Sequence, residues 1–261
     1  MKNLLIASLA LTSALALTAG AQVTEHTYTL GSSPRITVDN VNGPIRVIGD
    51  GGSQVRFTAT ESNPDNVADV HLEVTPSSDG LELYVDGPFR HRHGWFDDDR
   101  YNRVKFSFEL HVPAHASLDV KTVNDGAVQL DRMAGEYQAH NVNGDVNLTN
   151  ESGSGRATTV NGAIHAAFSS NPAQDSDFTT VNGDVSVYLQ PSLNAGIKYT
   201  TVNGDVYTDY QMDLQRSGSQ AGEHMIVYSR RRSSGGQIGQ GGPLLSFRTV
   251  NGSIYIHKAK P

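Results

Sequence analysis

The sequence predicts an all-β fold: a parallel β-helix-like solenoid with coils of about 20 residues, preceded by and merged with an N-terminal set of β-strands. Three observations predict it. A Thr-Val-Asn-Gly signature or a near-copy recurs seven times, centred on Asn42, Asn124, Asn143, Asn161, Asn182, Asn203 and Asn251. From Asn124 to Asn203 the copies are spaced by 19, 18, 21 and 21 residues. The signature also sits between two apolar columns. Three places before its Val stand Val38, Val120, Ala139, Ala157, Phe178, Tyr199 and Phe247, and four places after it stand Ile45, Ala127, Val146, Ile164, Val185, Val206 and Ile254. In the Asn124 copy the Asp and Gly are transposed or a residue is inserted, so Val128 is the alternative to Ala127.

Taken in order, residues 1–21 read as a secretory signal peptide. Lys2 precedes an apolar run over residues 4–17, which ends at the small residues Ala19, Gly20 and Ala21, and the cut is expected before Gln22. The run is too short for a bilayer span, so no integral membrane span is expected in the mature chain. Residues 22–112 alternate as half-buried strands, clearest at 35–39, 45–48, 55–59, 70–74, 81–85 and 104–112, with turn residues between them. No helix is expected after the leader, because the 26 glycines would make one costly. Residues 113–261 carry the remaining repeats, with an insertion at about 209–244 containing an Arg230, Arg231, Arg232 run and a glycine-rich stretch.

Each repeat reads as strand, corner, strand, since Asn and Gly tolerate the backbone a corner demands. A type I′ hairpin could use the same residues, but hairpins need no fixed spacing. Stacked coils about 4.8 Å apart would bring successive Asn amides into a buried hydrogen-bonded ladder. That places Asn182 and Asn203 at equivalent corners of neighbouring coils. The Val preceding each Asn alternates to the opposite face, so its column faces inward only if the corner re-aims it; otherwise it forms an exposed stripe.

Loss of Lys2 with the leader leaves 19 basic against 27 acidic residues, a formal charge of −8, which excludes nucleic acid as an expected partner. There is no cysteine, so neither disulfides nor thiol chemistry is expected in an exported chain.

The segment from Phe108 through Val112-Pro113-Ala114 to Asn124, followed by the Asn-Gly repeats, resembles the bacterial putative-adhesin families, exported β-solenoids with no settled activity. The resemblance runs from about Ile36 to Ile256. It implies a β-helix-like fold and an envelope or extracellular setting, and it supplies no catalytic residues to transfer. The loop containing His91, His93 and Trp95 and the Arg-rich insertion depart from that pattern.

No catalytic residue and no cofactor are expected. Asp145, Asp184 and Asp205 follow their corner glycines, and Asp184 with Asp205 in adjacent coils would offer stacked carboxylates to a cation. Pro44, Ala163 and Ser253 at the same position favour solvated turn aspartates instead. His91, His93 and Asp97, with Asp98 and Asp99, are metal-ligand types, yet charged loops commonly lack a metal. No nucleophile-base-acid grouping is visible. The adjacent threonines at 158–159, 179–180 and 200–201 face opposite sides of a strand and so cannot form a flat ice-binding ladder. The expectation is a non-enzymatic exported module, structural or adhesin-like, that is periplasmic, cell-surface or secreted. It would bind an envelope protein or glycan, with Trp95, His91 and His93 as possible contacts. The alternative is a carbohydrate-active or glycan-binding β-helix.

Overall fold

The structure is a computed structural model that describes residues 14–18, 21–63, 65, 67–88, 101, 103–214, 225–227 and 234–259. The loop bearing His91, His93, Trp95 and Asp97 and the Arg230–Arg232 run lie outside the described residues. The strands are β1 (Ala14–Thr18), β2 (Ala21–Thr29), β3 (Arg35–Asp39), β4 (Ile45–Asp50), β5 (Gln54–Ser62), β6 (His71–Pro76), β7 (Gly80–Asp86), β8 (Lys105–Pro113), β9 (Ser117–Lys121), β10 (Val128–Asp131), β11 (Glu136–His140) and β12 (Val146–Glu151). They continue as β13 (Ser154–Thr158), β14 (Ile164–Phe168), β15 (Ser176–Thr179), β16 (Val185–Leu189), β17 (Ala195–Thr200), β18 (Val206–Thr208), β19 (Asp213–Leu214), β20 (Met225–Val227), β21 (Ser234–Ile238), β22 (Leu244–Arg248) and β23 (Ile254–Lys258).

They form two facing sheets, of twelve and eleven strands. Each repeat places one strand in the eleven-stranded sheet, turns at its Asn-Gly corner and places the next in the twelve-stranded sheet. Neighbouring repeats pair in parallel. This is the predicted solenoid. Period-two alternation sends one side chain of each pair between the sheets, so both apolar columns of the signature are buried in every coil. Val128, not Ala127, pairs with Ile45 and Val146, so the Asn124 copy carries one inserted residue, accommodated by Asp125 at φ 60°.

The coils do not stack in sequence order. The corner ladder runs Asn42, Asn124, Asn143, Asn161, Asn182, Asn251, Asn203. The expectation that Asn182 and Asn203 are neighbours is therefore wrong: β22 and β23 lie between β15–β16 and β17–β18. The other end mirrors this arrangement. β7 and β8 stack outside β3 and β4, and the chain then crosses to β9 on the inner side. Between β7 and β8 the sequence carries no Asn-Gly signature, so this outermost coil lacks the repeat's corner motif. Antiparallel strands close the ends, with β5, β2 and β1 extending from β8 and β6 from β7, and with β20 on β18 and β21 on β17 at the far end. Such closure covers the backbone edges that a parallel stack leaves open.

A physical reason for the C-terminal insertion lies in the residue after the corner glycine. In stacking order this column reads Ala127, Asp145, Ala163, Asp184, Ser253, Asp205. Sequential order would set Asp184 directly against Asp205, and like charges one strand apart are destabilising. The inserted coil separates them with a serine. The Asp184 carboxylate accepts the Ser253 N–H at 2.7 Å, and the Ser253 hydroxyl accepts the Asp205 N–H at 3.3 Å.

Candidate functional site

The corners assign each signature residue a task. The Thr is buried and donates its hydroxyl to a glycine carbonyl one coil away: Thr180 to Gly162 at 2.8 Å, Thr249 to Gly183 at 2.9 Å and Thr201 to Gly252 at 3.0 Å. Each Asn amide donates to the side-chain oxygen of the Asn before it in the stack, at 2.7–2.8 Å from Asn143 onward and at 3.2 Å from Asn124 to Asn42. The ladder exists but is solvent-exposed at Asn143, Asn161, Asn182, Asn203 and Asn251, contrary to the expected buried one. The Val column faces out, with Val142, Val160, Val181 and Val202 between 36% and 51% exposed. These residues build a corner rather than a reactive centre.

The carboxylate stack, the alternative to solvated turn aspartates, is absent, because Ser253 lies between Asp184 and Asp205 and Asp184 is held by a backbone amide. Asp145 is engaged the same way, accepting the Ala163 N–H at 2.8 Å. Elsewhere His71, Glu73 and Asp86 bring one ligand atom each within 4.8 Å of one another on β6 and β7. His71 is already paired with Glu73 at 3.5 Å, and both face solvent.

Among the described residues, Glu151, Tyr137, His140, Tyr28 and Tyr210 have perturbed protonation. Glu151 is wholly buried, turned inward by a bulge at Asn150 (φ 54°). Burial, and additionally the Asp131 charge, push its pKa up to about 8 against the pull of the Met133 backbone. It is sealed between the sheets beside Tyr137, whose own pKa is raised by burial and then by Glu151, so no substrate reaches it. His140 shares a hydrogen bond with Thr158 on the outer face of its sheet, and burial lowers its pKa. A shallow groove of about 490 Å³ on that face is lined by Arg156, Asp177, Lys198 and Arg248 among others, with Arg156 and Asp177 3.9 Å apart. Its charges are mixed in sign.

The most distinctive surface is on the outer face of the twelve-stranded sheet, at β16, β23 and β18. Alternation sends Tyr188, Tyr255, His257 and Tyr207 outward, and parallel register sets Tyr188 opposite His257 and Tyr207 opposite Tyr255. The rings form a continuous stack: Tyr188–His257 at 4.9 Å, His257–Tyr255 at 5.9 Å and Tyr255–Tyr207 at 5.0 Å, tilted by 7° to 25°. Tyr188 remains 43% exposed. His257 Nδ1 lies 3.1 Å from the Asp209 carboxylate, which also accepts the Lys258 N–H, and the Tyr207 hydroxyl donates to Asp205 at 3.4 Å. Faces turned on one another leave ring edges, phenol hydroxyls and an imidazole to meet a partner. Sequence reasoning missed these residues. The signal was there in columns one and three places after the second apolar column, where Tyr207, Tyr255, Tyr188 and His257 concentrate in the last coils.

Residues 114–231 match the family model described as Toastrack DUF4097. This stretch is similar to a Toastrack domain. The matched segment holds the corners from Asn124 to Asn203, while the inserted coil β22–β23 lies beyond it. The chain is also similar to solved structures described as a putative cell adhesion protein from Clostridium sporogenes (12% identity, 91% of this chain and 100% of that chain covered, TM-score 0.48) and a putative adhesin from Bacteroides fragilis (12%, 91% and 97%, TM-score 0.36). A third is described as a putative lipid binding protein from Parabacteroides distasonis (10%, 93% and 98%, TM-score 0.31). No curated protein matches the sequence.

Proposed function

We propose that this chain is a non-enzymatic, exported binding module of the bacterial envelope, which holds a protein partner against the aromatic stack of its twelve-stranded sheet. The observation that carries the reading is that stack: four rings, tied to Asp205 and Asp209, held on parallel strands of a stiff solenoid. Tyrosine-rich patches on rigid elements are favoured for protein contacts because large rings bury much area at little entropic cost. Stacking of the rings on each other argues against the glycan alternative, since sugars dock on open ring faces. Export is supported by the leader expected over residues 1–21; β1 (Ala14–Thr18), which pairs with β2, lies within that stretch and would leave with it. Among the described residues no helix is long and apolar enough to cross a membrane.

The test is retention of the chain on envelope fractions, compared with a Tyr188→Ala, Tyr255→Ala double variant. Loss of retention with an unchanged thermal midpoint supports the reading. Unchanged retention excludes this face, and retention removed by glycosidase treatment of the fractions restores the glycan alternative.

A further inference from the structure

We propose that the C-terminal coil, β22–β23, is a donor coil that a second copy of the chain can supply, with residues 239–243 as the hinge of a coil-swapped dimer. The slot it fills is bounded only by coils that precede it in sequence. β22 pairs with β15 on one side and β17 on the other, and β23 pairs with β16 and β18. Inside the slot Leu245, Phe247, Ile254 and Ile256 are buried, Phe247 stacks on Phe178 at 5.5 Å, and Asn251 bridges Asn182 and Asn203. None of these contacts depends on which molecule the coil comes from.

The connection favours exchange. β21 pairs antiparallel with β17 on its outer side, and the chain then rounds the start of β17 to place β22 on its inner side. That reversal takes only Gly239-Gln240-Gly241-Gly242-Pro243, with Gly239 at φ 60° and Gly241 at φ 78°. Short hinges favour exchange because a tight reversal leaves few residues to bring the coil back onto its own chain, while the swapped contacts stay the same. Extended, the five residues reach about 17 Å, enough to send β22 into a facing molecule. The swap also bears on the proposed binding face. Tyr255 and His257 come from the donor coil and Tyr188 and Tyr207 from the acceptor, so each ring stack in the dimer would be shared between two copies. This sharing rests on the binding reading; the exchange itself does not.

The experiment uses the absence of native cysteine. Asp177 and Ser246 are register partners on neighbouring strands. Full chains carrying only Asp177→Cys and only Ser246→Cys are mixed, unfolded, refolded together and oxidised, and the 177–246 linkage is sought between chains by gel and peptide mass. An Asp177→Cys, Ser246→Cys double variant, which links within one chain, establishes that the geometry permits the bond. The proposal expects a 177–246 cross-linked heterodimer whose yield rises severalfold when Gly241 and Gly242 are deleted from the hinge. If the double variant closes its internal bond while the mixture stays monomeric with either hinge length, exchange does not occur. Envelope retention is not read in this experiment, so failure here leaves the binding proposal standing.

Discussion

At the residue scale the signature is a division of labour across one corner, and the four positions differ in what they tolerate. A Cβ on Gly183 would stand 2.1 Å from the Gly162 carbonyl oxygen, so Gly183→Ala forces two coils apart. A loss of about 1–3 kcal/mol in chemical denaturation is expected. Asn182→Leu breaks an exposed hydrogen bond on each side and should cost less, about 0.5–1.5 kcal/mol. The reverse ranking would contradict the assignment. Glu151 gives a pH signature. Its folded pKa of about 8 lies above its ordinary value of 4.5, so the folded state holds a proton that the unfolded chain has released. Stability should therefore fall as pH rises from about 4.5 to about 8 and level off beyond, by on the order of 5 kcal/mol in total. Glu151→Gln should flatten that decline in denaturation series across pH; an unchanged slope would place the effect elsewhere. The corner motif was legible in the sequence because it repeats. Glu151 was not, since its burial depends on a bulge that no periodicity announces.

At the scale of the element, strand positions followed from alternation, and the expected strands at 35–39, 45–48 and 81–85 lie in β3, β4 and β7. What could not be read was which coil lies beside which. Seven near-identical corners are interchangeable partners by local preference, so sequential stacking was the natural expectation. The deciding detail is the alternation of aspartate with small residues after the corner glycines. Ser253→Asp would align three carboxylates, at 184, 253 and 205, and should lower stability by about 0.5–1 kcal/mol at low ionic strength. Added salt should recover most of the loss by screening. A loss insensitive to salt would show that the serine matters for its hydrogen bonds instead. The aromatic stack is a product of this same ordering, since its rings come from β16, β23 and β18, which are not consecutive in the chain.

At the scale of the whole molecule, both terminal repeats are interior coils, and antiparallel strands close the two ends. The C-terminal repeat can enter only after the coils on both its sides exist, which ties closure of the solenoid to completion of the chain. Removal of residues 244–261 should therefore open the stack rather than shorten it, uncovering Phe178 and Ile197 and lowering the thermal midpoint well beyond the effect of losing a terminal coil. The order of the coils is the central claim, and pairwise cysteine linkage in single chains tests it most directly. Asp177→Cys with Ser246→Cys, and Ser246→Cys with Lys198→Cys, join register neighbours and should form disulfides within one chain. Asp177→Cys with Lys198→Cys, two strands apart at about 9.6 Å, should not. Efficient linkage of 177 to 198 with none from 246 would mean that the coils stack in sequence order, and would contradict the insertion of β22 and β23 between earlier coils.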